Sequence, residues 1–206
     1  IEKIYSVIVD GTPPEGSAAV DGPVYLGDDN ELYITGGSNI VLWAEDNLSG
    51  VDRIFVSLDG GGYVAYSEPV NIQEEGYHTA TAYALDNVGN RTPDFEVAGY
   101  VDSTPPEVSI RTSEEFVVVQ GTNYTNKHNM YSVTASDQYA GVREVLVSLD
   151  GSDYVTYTGP FRVQIAGRHT LRAMAADNLG NRSQPVAVEF HVDVVPPDTS
   201  MGVSVE

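Results

Sequence analysis

The sequence repeats itself, and this constrains its fold more than any other feature. Residues 46–102 align without a gap on residues 137–193, 91 positions later, with 26 identities among 57 positions. The longest shared words are VSLDG, at 56–60 and 147–151, and DNxGNR, at 86–91 and 177–182. Identities this frequent and this scattered are typical of two copies of one structural unit.

A second marker brackets both copies. An aspartate followed three residues later by Pro-Pro occurs at residues 10–14, 102–106 and 193–197. Two consecutive prolines fix φ twice and remove two backbone donors, so each marker predicts an extended joint between domains. The predicted boundaries are 1–10 for the end of a preceding repeat or a leading strand, 11–102 for repeat 1, 103–193 for repeat 2, and 194–206 for the start of a following repeat or a tail.

The flanking residues resemble pieces of further repeats. Tyr5–Asp10 resembles the last strand of a preceding copy, and Thr199–Val205 resembles the first strand of a following copy. We therefore expect this chain to be part of a longer array, with neighbouring repeats as its partners.

Apolar residues alternate along both copies, and this period is typical of β-strands. No window carries a helical period. The strands predicted in the second copy are 107–111, 115–120, 130–136, 143–149, 154–157, 160–165, 168–176 and 186–192. Seven or eight short strands in about 91 residues predict an all-β chain of two tandem immunoglobulin-like Greek-key β-sandwich domains.

Positions that are apolar in both copies are predicted to face the core. They are Ile40, Leu42 and Ala44 with Tyr131, Val133 and Ala135, and Ile54, Val56 and Leu58 with Val145, Val147 and Leu149. The chain has no cysteine, so burial of such side chains, worth about 1.5–3 kcal/mol each, must hold each domain together. The same alternation leaves Trp43 pointing outward.

The charge balance narrows the class of partner. The chain has 10 Lys and Arg against 30 Asp and Glu, a formal net charge of −20. This charge repels nucleic acid and anionic membranes and attracts cations. No apolar run reaches the roughly 20 residues of a membrane span, and no signal peptide opens the sequence. We expect an extracellular or bacterial cell-surface location, with the export signal outside these residues.

Four motifs recur in order within each copy. In the first copy they are S-x-D-G at 57–60, Tyr-x-x-Tyr at 63–66, G-x-H-T at 76–79 and A-x-D-x-x-G-N at 84–90. This order resembles the immunoglobulin-like repeats of bacterial cell-surface and secreted multidomain proteins, particularly the spirochaete outer-surface type. The resemblance implies a sandwich fold and a role as a stalk, an adhesin segment or an accessory domain of a glycan-active enzyme.

Acidic and amide side chains are candidates for a calcium site at one end of each domain. In an immunoglobulin-like topology the start of the first strand, the B–C loop and the F–G loop share one end. The candidates are Asp10, Glu45, Asp46, Asp86, Asn87 and Asn90 in the first copy, and Asp102, Asp137, Asp177, Asn178 and Asn181 in the second. Ca²⁺ takes six to eight oxygen ligands, and a bound ion would stiffen the domain junction. The alternative is that these residues only form turns by bonding their own backbone.

Aromatic side chains suggest a ligand-binding face. The alternation predicts that Phe55, Tyr83 and Tyr100 project from the outer face of the sheet holding strands C, F and G in domain 1, with Trp43 on the other sheet. Such a face could bind a glycan or a host matrix protein. The alternative is cross-strand aromatic pairing, which stabilises a sheet by about 0.2–1 kcal/mol per pair.

The histidines do not suggest catalysis. His78 and His169 occupy equivalent positions in the two copies, which favours a structural role, and no Ser–His–Asp arrangement is apparent. The sequence therefore predicts a non-catalytic spacer segment of a bacterial surface or secreted protein, with calcium as the one cofactor considered. Glycan or host-matrix binding through domain 1 is the alternative.

Overall fold

The computed structural model describes residues 3–28 and 30–196, which form eighteen β-strands and no helix. The chain divides into two compact units between Thr104 and Pro105, inside the central Pro-Pro marker. Among the described residues there is no helix with the length and apolar character that crossing a membrane requires.

The first unit contains nine strands in two sheets. They are β1 (Glu15–Asp21), β2 (Val24–Leu26), β3 (Leu32–Ile34), β4 (Asn39–Glu45), β5 (Val51–Leu58), β6 (Val64–Ala65), β7 (Val70–Asn71), β8 (Gly76–Asp86) and β9 (Phe95–Val101). One sheet has the order β1-β4-β7, and the other has the order β2-β3-β9-β8-β5-β6.

The second unit repeats this plan strand for strand. Its strands are β10 (Glu107–Thr112), β11 (Val117–Val119), β12 (Thr122–Asn126), β13 (Met130–Ser136), β14 (Val142–Leu149), β15 (Val155–Thr156), β16 (Phe161–Arg162), β17 (Gly167–Asp177) and β18 (Val186–Asp193). The sheet orders are β10-β13-β16 and β11-β12-β18-β17-β14-β15.

The connectivity is that of an immunoglobulin-like sandwich. In the first unit β1 pairs antiparallel with β4, and between these two strands the chain forms β2 and β3 in the other sheet. There β3 runs parallel to β9, with Tyr33 opposite Tyr100. The same parallel pair forms between β12 and β18. The predicted all-β fold of two tandem sandwich domains is confirmed.

The core of each unit lies between its sheets at the positions that the repeat indicated. Ile40, Leu42 and Val56 are buried in the first unit, and Tyr131 and Val133 in the second. Leu58 departs from the prediction, with 38% of its surface exposed. Leu58 is the last residue of β5, where the strand gives way to the turn at Asp59-Gly60.

The predicted strand 115–120 is wrong. Only Val117–Val119 is extended, and a turn at Gln120-Gly121 sends the chain back as Thr122–Asn126. Both turn residues have positive φ, 46° and 79°, as a tight two-residue hairpin turn requires. The predicted strands at 154–157 and 160–165 are shorter in the structure, whereas the others agree within a residue at each end.

The segment before the first sandwich forms no strand. Residues 3–10 belong to no strand, and Val7 and Val9 are 80% and 83% exposed. Their assignment to a preceding repeat stays a prediction. The strand predicted at 199–205 lies outside the described residues.

Candidate functional site

The structure brings three predicted aspartates together at one end of the first unit. Asp10 precedes β1, Asp46 follows β4, and Asp86 ends β8. One carboxylate oxygen from each lies within 4.8 Å of the others. We call these three residues the acidic cluster. It exists because the ends of two strands and the entry to a third meet at the same edge of the sandwich.

Asp86 organises the loop that follows it. Its Oδ1 accepts hydrogen bonds from the N–H groups of Val88 at 3.0 Å and Asn90 at 2.8 Å, and its Oδ2 accepts from Asn90 Nδ2 at 2.7 Å. Burial opposes ionisation of Asp86, but these bonds outweigh it, so the pKa of Asp86 falls below its ordinary value. The turn chemistry considered for DNxGN is therefore present.

Asp46 uses only one of its two oxygens. Its Oδ2 accepts hydrogen bonds from the N–H groups of Leu48 at 3.0 Å and Gly50 at 2.8 Å. Its Oδ1 is buried and has no hydrogen-bond partner among the described residues. A buried carboxylate oxygen without a donor is costly, because it has lost water and gained nothing in return.

Asp10 ties the segment before β1 to the loop after β4. Its Oδ2 accepts a hydrogen bond from the Ser49 N–H at 2.9 Å, and its Oδ1 accepts from the Thr12 N–H at 3.1 Å. Hydrogen bonds from Ser49 and then Thr12 lower the pKa of Asp10. All three members of the acidic cluster thus have backbone donors, and two of them have a lowered pKa.

The other predicted ligands make different contacts. Glu45 is exposed at the end of β4, opposite Glu15 across the strand pair. Asn87 donates through Nδ2 to the Ser49 and Gly50 carbonyls, at 2.9 and 3.0 Å. Asn90 turns its Nδ2 toward Asp86. The amide groups therefore act here as donors that fasten two loops together.

The second unit repeats these contacts. Asp137 Oδ1 accepts a hydrogen bond from the Gly141 N–H at 2.8 Å, as Asp46 does from Gly50. Asp177 accepts from the N–H of Asn181 at 2.8 Å and from its Nδ2 at 2.7 Å. Asn178 donates to the Gly141 carbonyl at 3.2 Å. The two units thus use the same polar contacts to hold the same loops.

Asp102 is the sequence equivalent of Asp10 and belongs to the first unit. Its N–H donates to the Ile34 carbonyl at 2.8 Å, which extends the pairing of β9 with β3. Its Oδ1 accepts a hydrogen bond from the Thr104 N–H at 3.1 Å. It therefore ends the last strand of that unit and caps the joint that follows.

The predicted outer aromatics lie in two groups on one face of the six-stranded sheet. Phe55 and Tyr83 stack with ring centroids 5.0 Å apart, and Tyr63 packs edge-on against Tyr83 at 4.8 Å. The Arg91 guanidinium lies 3.9 Å from the centroid of the Tyr83 ring. The Tyr83 ring is therefore packed against Phe55, Tyr63 and Arg91 of its own domain, as the alternative of cross-strand aromatic pairing predicted.

Tyr100 belongs to a second group, a row of four tyrosines that sequence reasoning missed. Tyr25, Tyr33, Tyr100 and Tyr77 follow one another across four strands, with successive centroids 5.9, 5.4 and 5.1 Å apart. The signal is a tyrosine on each of four strands, but the sequence alone does not show which of these strands are neighbours. Trp43 lies on the other sheet and is 46% exposed, as predicted.

The two histidines at equivalent positions of the repeat are each fixed at both ring nitrogens. His78 Nδ1 lies 2.8 Å from Asp59 Oδ2, and its Nε2 lies 2.9 Å from the Glu74 carbonyl oxygen. His169 makes the same two contacts with Asp150, at 2.7 Å, and with the carbonyl of residue 165, at 2.8 Å. Both partners are acceptors, so only the imidazolium form donates both bonds. These contacts support the structural role predicted for both residues.

Comparison with known proteins assigns no family. No protein-family model matches the sequence, and no curated protein matches it. Fibronectin(III)-like modules of Clostridium thermocellum CbhA share 18% identity, with 90% of this chain and 100% of that chain covered and a TM-score of 0.41. Dimeric latent PorU from Porphyromonas gingivalis shares 16% identity, with 90% of this chain and 21% of that chain covered and a TM-score of 0.37. The spirochaete outer-surface type stays a prediction.

Proposed function

We propose that this chain is a non-catalytic spacer segment of a multidomain bacterial surface or secreted protein. The proposal rests on one observation: the two units share their structural contacts but differ on their outer faces. Both repeat the sandwich, the acidic loops and the histidine contacts, whereas their outer faces differ, with Tyr77 and Tyr100 replaced by Arg168 and His191. Features common to both copies thus serve stability, which is what a spacer requires.

We further propose that Ca²⁺ binds the acidic cluster of the first unit. Three carboxylates within 4.8 Å repel one another, and no donor among the described residues offsets that repulsion at Asp46 Oδ1. A divalent cation would satisfy this oxygen and neutralise the cluster, since Ca²⁺ prefers carboxylate and carbonyl oxygens. Stiffening of the domain junction by calcium stays a prediction.

A thermal melt in EDTA and after addition of 5 mM Ca²⁺ tests this site. A ligand that binds only the native state stabilises it by RT ln(1 + [L]/Kd), about 2.7 kcal/mol at 100 times Kd. We expect Tm to rise by several degrees in the intact chain and to stay constant in Asp46→Asn. Asp21→Asn, an exposed carboxylate at the end of β1, is the matched control and should keep the rise. An unchanged Tm in the intact chain would mean that the loops are turns alone.

The alternative function, glycan or host-matrix binding, is supported by the row of four tyrosines. Tyr77 is 53% exposed and meets Tyr100 only edge-on, so one ring remains open to stacking. A glycan array and a panel of immobilised matrix proteins test this function. We expect a signal that is lost in Tyr77→Ala, with Trp43→Ala as the control on the opposite sheet. No signal from the intact chain would remove the alternative and leave the spacer proposal unaffected.

A further inference from the structure

Strand β11 of the second unit is an exposed edge with unusual composition. It consists of three consecutive valines, Val117, Val118 and Val119, which are 65%, 64% and 51% exposed. It ends the six-stranded sheet, and among the strands that the structure describes it pairs with β12 alone. Natural proteins protect such edges with proline, charge or a covering segment, because an open apolar edge recruits other strands. The equivalent edge of the first unit, β2, begins directly after Pro23.

The backbone N–H and C=O groups of Val118, the central residue of β11, point away from the sheet. Val119 pairs with Thr122 across the two-residue turn, so the N–H and C=O of Val119 face β12. Successive residues of a strand direct these groups to opposite sides, so those of Val118 face away from the sheet. An added strand would begin its hydrogen bonds at Val118.

A trough of about 540 Å³ lies beside this edge. Its lining includes four apolar or aromatic residues, Val117, Val119, Tyr124 and Val195, and two polar ones, Thr125 and Asn126. It also includes three acidic residues, Glu114, Glu115 and Asp193, here called the acidic rim. No lysine or arginine is among the residues that line it. The trough thus combines apolar and acidic side chains on one face of β11 and β12, and Val117 and Val119 of its lining belong to the edge strand.

We propose that this edge and trough bind an extended, basic segment of a partner protein, which adds to the sheet as a strand beside β11. Main-chain bonds to Val118 would supply affinity, and alternate side chains would enter the trough, as in other cases of strand addition. Charge complementarity selects the partner: the rim attracts lysine and arginine, whereas a second copy of this chain carries a net charge of −20 and would be repelled. This surface goes beyond the spacer role.

The test uses the 206-residue chain and a seven-residue probe peptide, acetyl-Lys-Val-Lys-Val-Lys-Val-Lys-amide. We expect ¹H–¹⁵N NMR shifts confined to residues 114–119, Tyr124 and Asp193, and weakened by salt. The same peptide with glutamate in place of lysine should give at least tenfold weaker binding. Val118→Pro should abolish binding while keeping the hairpin, because proline is tolerated where a strand N–H faces outward.

A surface variant keeps the test decisive if Val118→Pro unfolds the hairpin. Glu115→Gln with Asp193→Asn leaves the backbone unchanged and should weaken the lysine peptide at least fivefold. Val24→Thr, at the equivalent edge of the first unit, is the matched control and should bind normally. Equal shifts from both peptides, shifts spread over both units, or no shift at millimolar peptide would overturn the proposal. So would dimerisation through β11 in light scattering without peptide, since the occupant would then be a second copy.

Discussion

The carboxylate of Asp59 joins the turn after β5 to the strand β8 through His78. Asp59 Oδ2 lies 2.8 Å from His78 Nδ1, and Asp59 Oδ1 accepts a hydrogen bond from the Thr79 N–H at 2.9 Å. Asp59 itself has a φ of 50°, the left-handed conformation that begins this Asp-Gly turn. One side chain therefore fixes the shape of the hairpin turn and its position on the sheet.

Removing this contact should destabilise the first unit. We expect Asp59→Ala to lower the free energy of unfolding by about 1–3 kcal/mol, because it leaves the partly buried His78 ring without its partner. His78→Gln should cost less, since the Asp59 carboxylate that it leaves is exposed to water. Urea unfolding followed by fluorescence of Trp43, the only tryptophan, reports this unit. Glu68→Gln, an exposed carboxylate, is the control. Additive losses in the double variant would contradict a direct interaction between the two side chains.

The same contacts predict a pH dependence. The hydrogen bond to Asp59 raises the pKa of His78 above its ordinary 6.5. Burial opposes the charge on His169, yet its bond to Asp150 leaves the pKa raised as well. A raised pKa in the folded state contributes stability that is complete below about 6.5 and is lost as pH rises through the folded value.

The carboxylates that bind the two histidines, Asp59 and Asp150, set the lower limit of the pH range in which these contacts stabilise the fold. The bond to His78 lowers the pKa of Asp59 below 3.8, so its contribution is present above that value and is lost as pH falls through the folded pKa. We expect maximal Tm between about pH 4 and 6.5, with a decline toward pH 9. The double variant His78→Gln, His169→Gln should flatten this decline. An unchanged profile would assign the pH dependence to other groups.

Replacing Tyr131 by phenylalanine should stabilise the second unit. It is 1% exposed, and its hydroxyl has no hydrogen-bond partner among the described residues. Its equivalent in the first unit is Ile40. Burial of an unpaired hydroxyl costs about 1–3 kcal/mol, so Tyr131→Phe should raise the free energy of unfolding. Urea unfolding followed by NMR peaks of the second unit measures this; a loss of stability would show that the hydroxyl does have a partner.

Gly99 permits the close approach of β9 to β3. A Cβ on this residue would lie 2.4 Å from the Leu32 carbonyl oxygen, so Gly99→Ala must push the two strands apart. We expect a loss of about 1–3 kcal/mol, in the range of overpacking. Gly62→Ala is the matched control, because a Cβ there meets nothing within 4 Å. Equal Tm values for the two variants would contradict this account.

The repeat made the core predictable, because positions such as Ile40 and Tyr131 are apolar in both copies and alternate with polar ones. It could not reveal the two-residue turn after β11, since Gln120 is an uncommon residue at positive φ and the equivalent strands of the first copy, β2 and β3, are joined by five residues. The motifs containing Asp59 and His78 were both visible, but their contact depends on strand pairing across 19 residues. The acidic cluster was predictable from topology, whereas the side-chain directions of Asn87 and Asn90 were not.

The parallel pairing of β9 with β3 determines how the first unit would respond to tension. The final strand lies inside its sheet, with β3 on one side and β8 on the other, and it leads directly into the Pro-Pro joint. A pull applied at that joint acts along β9, so its hydrogen bonds on both sides are sheared together and cannot open one at a time like a zipper. The strand order that makes the sandwich thus also makes it resistant to stretching from this end.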